Sequence, residues 1–279
     1  MTISTRNGRR SNLYVEALLG LVVLVILIPI AWATMLAFLP NRAIVSSTWS
    51  FPFWLGNYAE VFANGTLPIQ LLNSVGIVVG TVVVCLAIGA LSGYSLAKLN
   101  PPQWLRLPSL AIAALIPLIP SATLVPGLYL LLSNLGLIGT VPGLILVNSL
   151  FNLPFSTLLM SSYFSALPGE LREAALVDGA SETRTFWFVM LPLVRPGLAA
   201  TGVFVGIMAW NEFLMGLTLT SGGTTAPLTV GIAGFIQEYA VTWGQLAAAG
   251  TIAAVPMILL AAFASRYIVA GLIAGSVKG

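Results

Sequence analysis

The sequence lacks histidine altogether and contains one cysteine, and each shortage excludes a kind of chemistry. Without histidine, and with its acidic residues scattered, the chain has no residue set typical of a metal site or of a Ser/His or Cys/His catalytic arrangement. The lone Cys85 lies within an apolar run, so we expect no disulfide framework and no paired thiol chemistry. The two lysines, Lys98 and Lys278, do not occur in a G-x-x-x-x-G-K-[ST] phosphate loop. If ATP drives this protein, the ATP is hydrolysed by another polypeptide chain. We therefore expect the present chain to hold no cofactor.

Charge is scarce as well: charged residues make up 7% of the 279 residues, whereas hydrophobic residues make up 58% and the mean hydropathy is +1.00. A chain this apolar is an integral membrane protein rather than a soluble globule. Its apolar runs are long and do not alternate, and about 20 apolar residues span a bilayer as a helix, so an all-α fold is predicted rather than a barrel. The net charge of +3 therefore reflects orientation in the membrane and not binding to nucleic acid.

Six transmembrane helices are predicted, at about residues 13–39, 69–97, 108–132, 138–164, 196–220 and 246–264. With the amino terminus inside, ten of the 11 basic residues fall on the cytoplasmic side and only Arg42 lies outside, as the positive-inside rule favours. Both termini are then cytoplasmic. A cleaved signal peptide is the alternative for the first run, because a basic head precedes it and Ala31-Trp32-Ala33 imitates a cleavage site; the run is, however, about twice as long as a signal core.

The second predicted span carries small residues four positions apart, Gly76 with Gly80 and Gly89 with Gly93. This spacing lets helix backbones approach closely, so we expect the helix to pack inside the bundle rather than face lipid. Spans three and four contain several prolines, which free backbone carbonyls that only neighbouring helices or a water-filled cavity can satisfy.

One charged passage interrupts the apolar chain, at residues 168–196, which we call the elbow. Its sequence predicts two short helices joined by a turn, in water between two spans. Pro168 suits the first turn of the first helix, and Gly179 suits a left-handed ending. Ser181 is placed to cap the second helix, and Pro192 to close it.

The first helix of the elbow presents a shallow apolar face. Leu171, Ala174 and Ala175 fall at i, i+3 and i+4 and therefore share one side of the helix. A small, smooth face exposed to water is typical of a docking surface. The second helix has a similar stripe that either packs the two helices together or faces a partner; it comprises Phe186, Val189 and Met190.

The elbow resembles the EAA loop of permease subunits in binding-protein-dependent ABC importers. The likeness rests on Glu173-Ala174-Ala175, then Gly179 after three residues, then Val189-x-Leu191-Pro192 after nine more, with valine where isoleucine is usual. Leu167-Pro168 and Pro196-Gly197 extend the resemblance to the carbohydrate branch, the maltose-type second permease. In that family the loop is a coupling helix that sits in a cleft of the ATP-hydrolysing subunit. The resemblance implies a type I ABC importer permease fold and six coupling residues: Glu173, Ala174, Ala175, Gly179, Leu191 and Pro192.

The resemblance also implies partners and an organisation of the chain. The partners are a second, homologous permease, two ATP-binding subunits that carry ATP and Mg²⁺, and an extracytoplasmic sugar-binding protein, in the plasma membrane of a bacterium or archaeon. The expected parts are an amino terminus with the first span (1–40), an extracytoplasmic loop (41–68), a five-helix permease core (69–266) and a cytoplasmic tail (267–279). Aromatic residues of the 41–68 loop either anchor it at lipid headgroups or help to dock the binding protein. By position and length only, the loop 221–245 is expected to enter that protein's sugar pocket.

Two polar groups lie within apolar runs and are candidates for a substrate pathway. Asn73 and Ser74 open the second span, and Trp210, Asn211 and Glu212 lie within the fifth; both groups resemble features of sugar permeases. An ionisable residue within a span is costly, so Glu212 is expected to line a pore or to pair inside the bundle. At this point the second group is either a structural or gating cluster or a direct sugar ligand.

Three other classes of protein compete with this interpretation. An ion-coupled secondary transporter is expected to show internal repeats and several ionisable residues in its spans, whereas this sequence has no clear repeat and essentially Glu212 alone. A membrane enzyme such as a lipid transferase needs clustered acids or histidines, which the elbow does not provide. A non-catalytic scaffold is not excluded by residues alone, although the full coupling pattern favours a permease.

Overall fold

The computed structural model describes residues 6–46, 53–63, 66–221, 223–237 and 240–276, with side chains described only between residues 14 and 262. Predictions for residues 47–52 and 277–279 lie outside this part of the chain. The α-helices are, in chain order, α1 (Arg6–Leu36), α2 (Asn41–Val45), α3 (Gly56–Ala63), α4 (Thr66–Lys98), α5 (Gln103–Leu115), α6 (Ser121–Asn134), α7 (Val141–Ser165), α8 (Glu170–Val177), α9 (Glu182–Thr185), α10 (Leu191–Leu193), α11 (Arg195–Trp210), α12 (Leu214–Thr220), α13 (Leu228–Ala233) and α14 (Trp243–Ser276). A 3₁₀ turn (Ile116–Leu118) follows α5, and a π-helical stretch (Phe186–Met190) joins α9 to α10.

Four of the described helical segments are long and apolar enough to cross a membrane: Tyr14–Leu36, Thr66–Lys98, Val141–Ser165 and Trp243–Ala262. Two further candidates are bent pairs. Gln103–Leu118 meets Ser121–Asn134 at 110°, and Glu182–Leu193 meets Arg195–Trp210 at 77°. If each bent pair is one span, the described residues contain up to six, the number that the sequence predicts, but the second pair begins at Glu182, within the elbow.

Three predicted spans differ from the observed helices. The third span, predicted as one helix over 108–132, is instead bent between Pro117 and Pro120, where proline removes the backbone donors that a continuous helix needs. The fifth, predicted over 196–220, stops at Trp210 and resumes only at Leu214. The sixth, predicted over 246–264, is part of the longer helix α14.

The chain divides into two compact units. The first comprises residues 1–65 and 234–252, and the second comprises residues 66–233 and 253–279. In the first unit the buried Asn57 amide donates to the carbonyl oxygens of Ala37, at 2.9 Å, and Leu39, at 2.8 Å. Because these carbonyls follow the end of α1, where the helix leaves acceptors unsatisfied, Asn57 fixes α3 to that end.

The second unit is built on the pair α4 and α7, with α11 packed against both. Gly80, Gly89 and Gly93 of α4 all face atoms of α7, and a Cβ at Gly93 would lie 2.7 Å from the backbone nitrogen of Ser161. The predicted close packing of this span is confirmed for these three glycines. A Cβ at Gly76, in contrast, would meet no atom within 4 Å.

Candidate functional site

The elbow folds into two helices around a glycine turn, as its sequence predicts. Gly179 has φ +83°, and two 3.0 Å bonds end α8, from the Gly179 amide to Leu176 O and from the Ala180 amide to Ala175 O. This bond pair is a Schellman motif, which requires a left-handed residue after the helix. Ser181 Oγ accepts the backbone N–H of Arg184 at 3.3 Å, so the predicted cap of α9 is confirmed.

Two boundaries of the elbow helices differ by one or two residues from the predicted ones. Pro168 does not lie in the first turn of a helix, because α8 begins two residues later, at Glu170. The second helix passes through the π-helical stretch and ends as α10 at Leu193, one residue after Pro192. Helices commonly end close to a proline, which cannot donate a backbone hydrogen bond, so the position of Pro192 in the last turn fits the end of this helix.

The outer face of α8, by which we mean Leu171, Ala174 and Val177, is exposed. Val177 has 87% of its surface exposed and Leu171 has 39%, and Ala174 and the neighbouring Glu173 are exposed too. Ala175 was predicted on this face but is buried, with 8% exposed. Adjacent helical residues point about 100° apart, which is enough to turn Ala175 towards the protein while Ala174 faces outwards.

The stripe of the second elbow helix packs inwards and not towards a partner. Phe186 and Met190 are buried in a cluster that includes Tyr94 of α4 and Phe164 of α7. The predicted coupling residues Leu191 and Pro192 are half-buried. The aromatic residues exposed beside this stripe are Trp187 and Phe188.

A polar network ties the two elbow helices to each other and to α4. Arg172 of α8 donates two hydrogen bonds to the carboxylate of Glu182 of α9, from Nε to Oε1 at 2.8 Å and from Nη2 to Oε2 at 2.6 Å. The Tyr94 hydroxyl donates to the same Oε1, and Lys98 Nζ donates to Leu167 O at 2.6 Å, just before the elbow. Glu182 raises the pKa of the Arg172 guanidinium, chiefly through these hydrogen bonds.

Sequence reasoning missed this network. Arg172 and Glu182 are ten positions apart across a turn, a separation that no helical rule pairs. Tyr94 and Lys98 are one helical turn apart on α4, which places them on one face, but nothing in the sequence indicates what that face meets.

The first candidate pathway group, Asn73 and Ser74, holds a loop in place. Asn73 Nδ2 donates to Thr224 O at 2.8 Å and to Ala226 O at 3.1 Å. Ser74 Oγ accepts the Leu228 amide at 2.8 Å and is buried. These bonds fasten the segment before α13 to the start of α4.

The second candidate group has structural contacts as well. Trp210 is buried, and Asn211 Nδ2 donates to Ile207 O of its own helix at 2.8 Å. The Glu212 carboxylate accepts the amides of Met215, at 2.7 Å, and Gly216, at 2.9 Å, so it satisfies the amino end of α12. The Glu212 carbonyl also accepts a bond from Thr229 Oγ1 of α13 at 2.7 Å, so both groups converge on the segment 224–229.

The structure does not join these groups to the larger of the cavities described in the second unit. That cavity, of about 550 Å³, lies between α4, α5 and α7 and is lined by the hydroxyl-bearing Ser92, Ser95, Ser109 and Thr157 among apolar side chains. None of the five candidate pathway residues lines it. Their contact with a substrate therefore stays a prediction.

Comparison with known proteins gives one family. Residues 86–273 match the model of the family described as binding-protein-dependent transport system inner membrane component. The diacetylchitobiose uptake system permease protein NgcG of Streptomyces coelicolor is 34% identical over 263 residues, 91% of this chain and 85% of the relative. The trehalose transport system permease protein SugB of Mycobacterium tuberculosis is 34% identical over 279 residues, 98% of this chain and 100% of the relative. The trehalose/maltose transport system permease protein MalG of Thermococcus litoralis is 32% identical over 263 residues, 93% of this chain and 94% of the relative.

Solved structures show the same fold. A chain of a bacterial ABC transporter involved in the import of the acidic polysaccharide alginate has a TM-score of 0.77 at 22% identity, and the match covers 96% of this chain and 99% of that one. A chain of a bacterial alginate ABC transporter in complex with an alginate pentasaccharide-bound periplasmic protein has a TM-score of 0.70 at 18% identity, covering 93% and 94%. The predicted fold class, a helical ABC importer permease, is confirmed.

Proposed function

Because the chain belongs to the family of inner membrane components of binding-protein-dependent transport systems, we propose that it forms half of the translocation pathway of an ATP-driven saccharide importer. Support for a saccharide comes from the relatives, whose names assign them to the transport of diacetylchitobiose, trehalose, or trehalose and maltose. The partners in this proposal are a second permease, two ATP-binding subunits that carry ATP and Mg²⁺, and an extracytoplasmic binding protein.

The main support for a coupling role of the elbow is the exposure of the outer face of α8. Ala175 is the one buried residue among the eight of α8, so the helix stands out from the bundle with its apolar side uncovered. In this proposal the outer face docks in a cleft of the ATPase. Ala174 permits close approach, Glu173 bonds at the rim, and Gly179 sets the angle between the elbow helices. Leu191 and Pro192 lie at the end of the elbow, where the chain re-enters the membrane.

The proposed orientation places the elbow in the cytoplasm and the segment 224–229 outside. The length of α4 supports opposite sides for the two regions, because its Asn73 bonds that segment and its Tyr94 bonds the elbow. At about 1.5 Å per residue these two side chains start from helix positions ~30 Å apart, which is the thickness of the hydrocarbon core. The distribution of basic residues, cytoplasmic at both termini, agrees with this orientation.

In the proposed cycle the ATPases close on nucleotide, move the elbow and change the populations of inward-facing and outward-facing states. A ligand or nucleotide shifts such an equilibrium only through its different affinity for the two states. The binding protein delivers the saccharide to the outward-facing state, in which the pathway between the two permeases is open.

Sidedness can be tested with single cysteines, because the one native thiol, Cys85, is fully buried. Val177→Cys on the outer face and Thr224→Cys on the opposite loop are matched probes, since both positions are exposed. We expect a membrane-impermeant maleimide to label Thr224→Cys in intact cells, and Val177→Cys only in inverted vesicles from which the ATP-binding subunits have been stripped. The reverse pattern would contradict the proposed orientation, and the unsubstituted chain measures the background from Cys85.

Docking and transport need the assembled complex. In it, we expect Val177→Cys to form a cross-link to an ATP-binding subunit with a short bifunctional thiol reagent, and Thr224→Cys to form none. Proteoliposomes containing the complex and its binding protein are then offered radiolabelled trehalose, maltose and diacetylchitobiose. Uptake that requires internal ATP supports the proposal. Uptake driven by an ion gradient without ATP would favour the secondary transporter instead.

A further inference from the structure

We propose that Tyr94 and Lys98 of α4 are positioning residues that make the elbow and α4 move as one body, so that α4 transmits the ATPase stroke to the opposite end of the bundle. This inference rests on the proposed function. It assigns the transmission to a particular helix and to two side chains outside the elbow.

The last turn of α4 holds the elbow at its entry and at its second helix. Lys98 Nζ binds Leu167 O, where the chain leaves α7 for the elbow. Tyr94 binds Glu182 of α9, and Glu182 in turn binds Arg172 of α8 through both carboxylate oxygens. A displacement of α8 therefore reaches α4 through a continuous chain of hydrogen bonds.

The direction of the Tyr94 hydroxyl is fixed by packing. Tyr94 is buried, with 3% of its surface exposed, and its ring centroid lies 5.3 Å from that of Phe164 and 5.1 Å from that of Phe186. Phe164 belongs to α7 and Phe186 to the elbow, so a moving elbow shifts one of the two packing neighbours of Tyr94 together with Glu182. When Glu182 moves, either the hydrogen bond breaks or α4 moves with it.

Apolar packing alone gives α8 little connection to the bundle, since it buries only Ala175. The charge-assisted bonds of Arg172 and Glu182 are only partly solvated, with side-chain exposures of 24% and 35%. Such bonds are stronger than neutral ones and hold a defined geometry. They, and not buried apolar area, keep α8 oriented relative to α4.

The other end of α4 makes the arrangement useful for transport. There, Asn73 and Ser74 hold the segment before α13, and α13 is bonded to the Glu212 carbonyl between α11 and α12. A shift of α4 along or about its axis therefore moves the proposed extracytoplasmic loop and the break between α11 and α12 together with the elbow.

Tyr94→Phe tests the proposal because it keeps the ring packing and removes only the hydroxyl. Its matched control is Tyr163→Phe: Tyr163 packs against the same cluster, and its hydroxyl makes no hydrogen bond within the described residues. Both variants are assembled with their partner subunits in proteoliposomes. ATP hydrolysis, uptake of the saccharide mixture and the melting temperature of the complex are then measured on equal amounts of assembled complex.

We expect Tyr94→Phe to assemble and to hydrolyse ATP, while the amount of saccharide imported per ATP falls on the order of 10-fold, as the loss of one charge-assisted hydrogen bond implies. Tyr163→Phe is expected to keep the wild-type ratio. Lys98→Met is expected to lower the ratio and Lys98→Arg to restore it, since arginine can also donate to Leu167 O.

An unchanged ratio in Tyr94→Phe and Lys98→Met would overturn the inference while leaving the proposed function intact. Reduced assembly or melting temperature with a normal ratio per assembled complex would assign Tyr94 a merely structural role and would overturn it too. If Tyr94→Phe does not assemble, the comparison of Lys98→Met with Lys98→Arg carries the test by itself, since it changes only the bond to Leu167 O. Failure of the proposed function is a separate outcome, since the wild-type complex would then show no ATP-dependent uptake.

Discussion

Replacing Gly179 by alanine tests whether coupling depends on the angle between the elbow helices, without changing the side chains that the elbow exposes. The backbone at Gly179 has φ +83°, in the left-handed region that alanine avoids. Space is not the obstacle, because a Cβ built there would meet no atom within 4 Å. The substitution therefore acts on the backbone conformation alone and removes none of the exposed side chains of α8.

The magnitude follows from the dihedral angle. An L-residue in the left-handed conformation costs about 1–2 kcal/mol, which lowers the population of the observed turn roughly 5- to 30-fold relative to alternatives. Asparagine visits this region more readily than alanine, so Gly179→Asn is expected to lose less. Gly169 is the matched control, because its φ is −65° and a Cβ there also meets open space. Gly169 has the helical angles φ −65° and ψ −32°, which alanine adopts readily, so Gly169→Ala is expected to carry no left-handed backbone penalty.

The assay is ATP-dependent uptake by the assembled complex, normalised to the amount of each variant in the membrane. We expect uptake to decrease in the order wild type and Gly169→Ala, then Gly179→Asn, then Gly179→Ala, with similar membrane amounts throughout. Wild-type uptake by Gly179→Ala would refute the claim that the left-handed turn sets the coupling angle. Equal losses at both glycines would refute the claim that the dihedral angle is the cause.

Three further changes test the packing around the site. Gly93→Ala is expected to destabilise the chain by about 1–3 kcal/mol, because its methyl group would press on the α7 backbone. Gly76→Ala meets no atom and favours the helix, so it is expected to keep or slightly raise the melting temperature in detergent. Ser74→Ala leaves the buried amide of the first residue of α13 without its acceptor, which costs about 1–3 kcal/mol, and we expect faster protease cleavage in the loop before that helix. Glu212→Gln keeps an acceptor for only one of the two bonded amides of α12 and also loses the negative charge at the helix end, so a loss of about 1–3 kcal/mol is expected in the same melting assay. A much larger loss of uptake than of stability would point to a further role of the carboxylate.

Local chemistry explains what the sequence predicted correctly. The turn at Gly179 and the cap at Ser181 each depend on one residue and its nearest neighbours, so the residue types are enough. The membrane class follows from composition and the length of the apolar runs. The close packing at Gly80, Gly89 and Gly93 follows from residue size, although size does not distinguish these glycines from Gly76, which faces open space.

Features that depend on distant residues were not predictable in this way. Hydropathy reports how apolar a stretch is but not its direction, so the 110° bend between α5 and α6 and the break after Trp210 did not appear in the predicted spans. The contact of Tyr94 with Glu182 joins residues 88 positions apart, and only the packing of α4 against the elbow creates it. In the sequence, Glu212 is a charged residue inside a predicted span, which is costly. The free amide donors at the start of α12 that bond its carboxylate exist only because the helix is broken after Trp210.

Because α4 is bonded near both ends, the relative directions of its two anchoring side chains are fixed, and a single inserted residue would change them. Asn73 and Lys98 are 25 positions apart, and at about 3.6 residues per turn this is close to seven whole turns, so the two anchors emerge on nearly the same side of the rod. One added residue between them would rotate one anchor by about 100° relative to the other. The number of residues between the two anchors can therefore change only by whole helical turns if both bonds are to be kept. Related permeases with a longer or shorter α4 are expected to differ by whole turns or to lack one of the anchors.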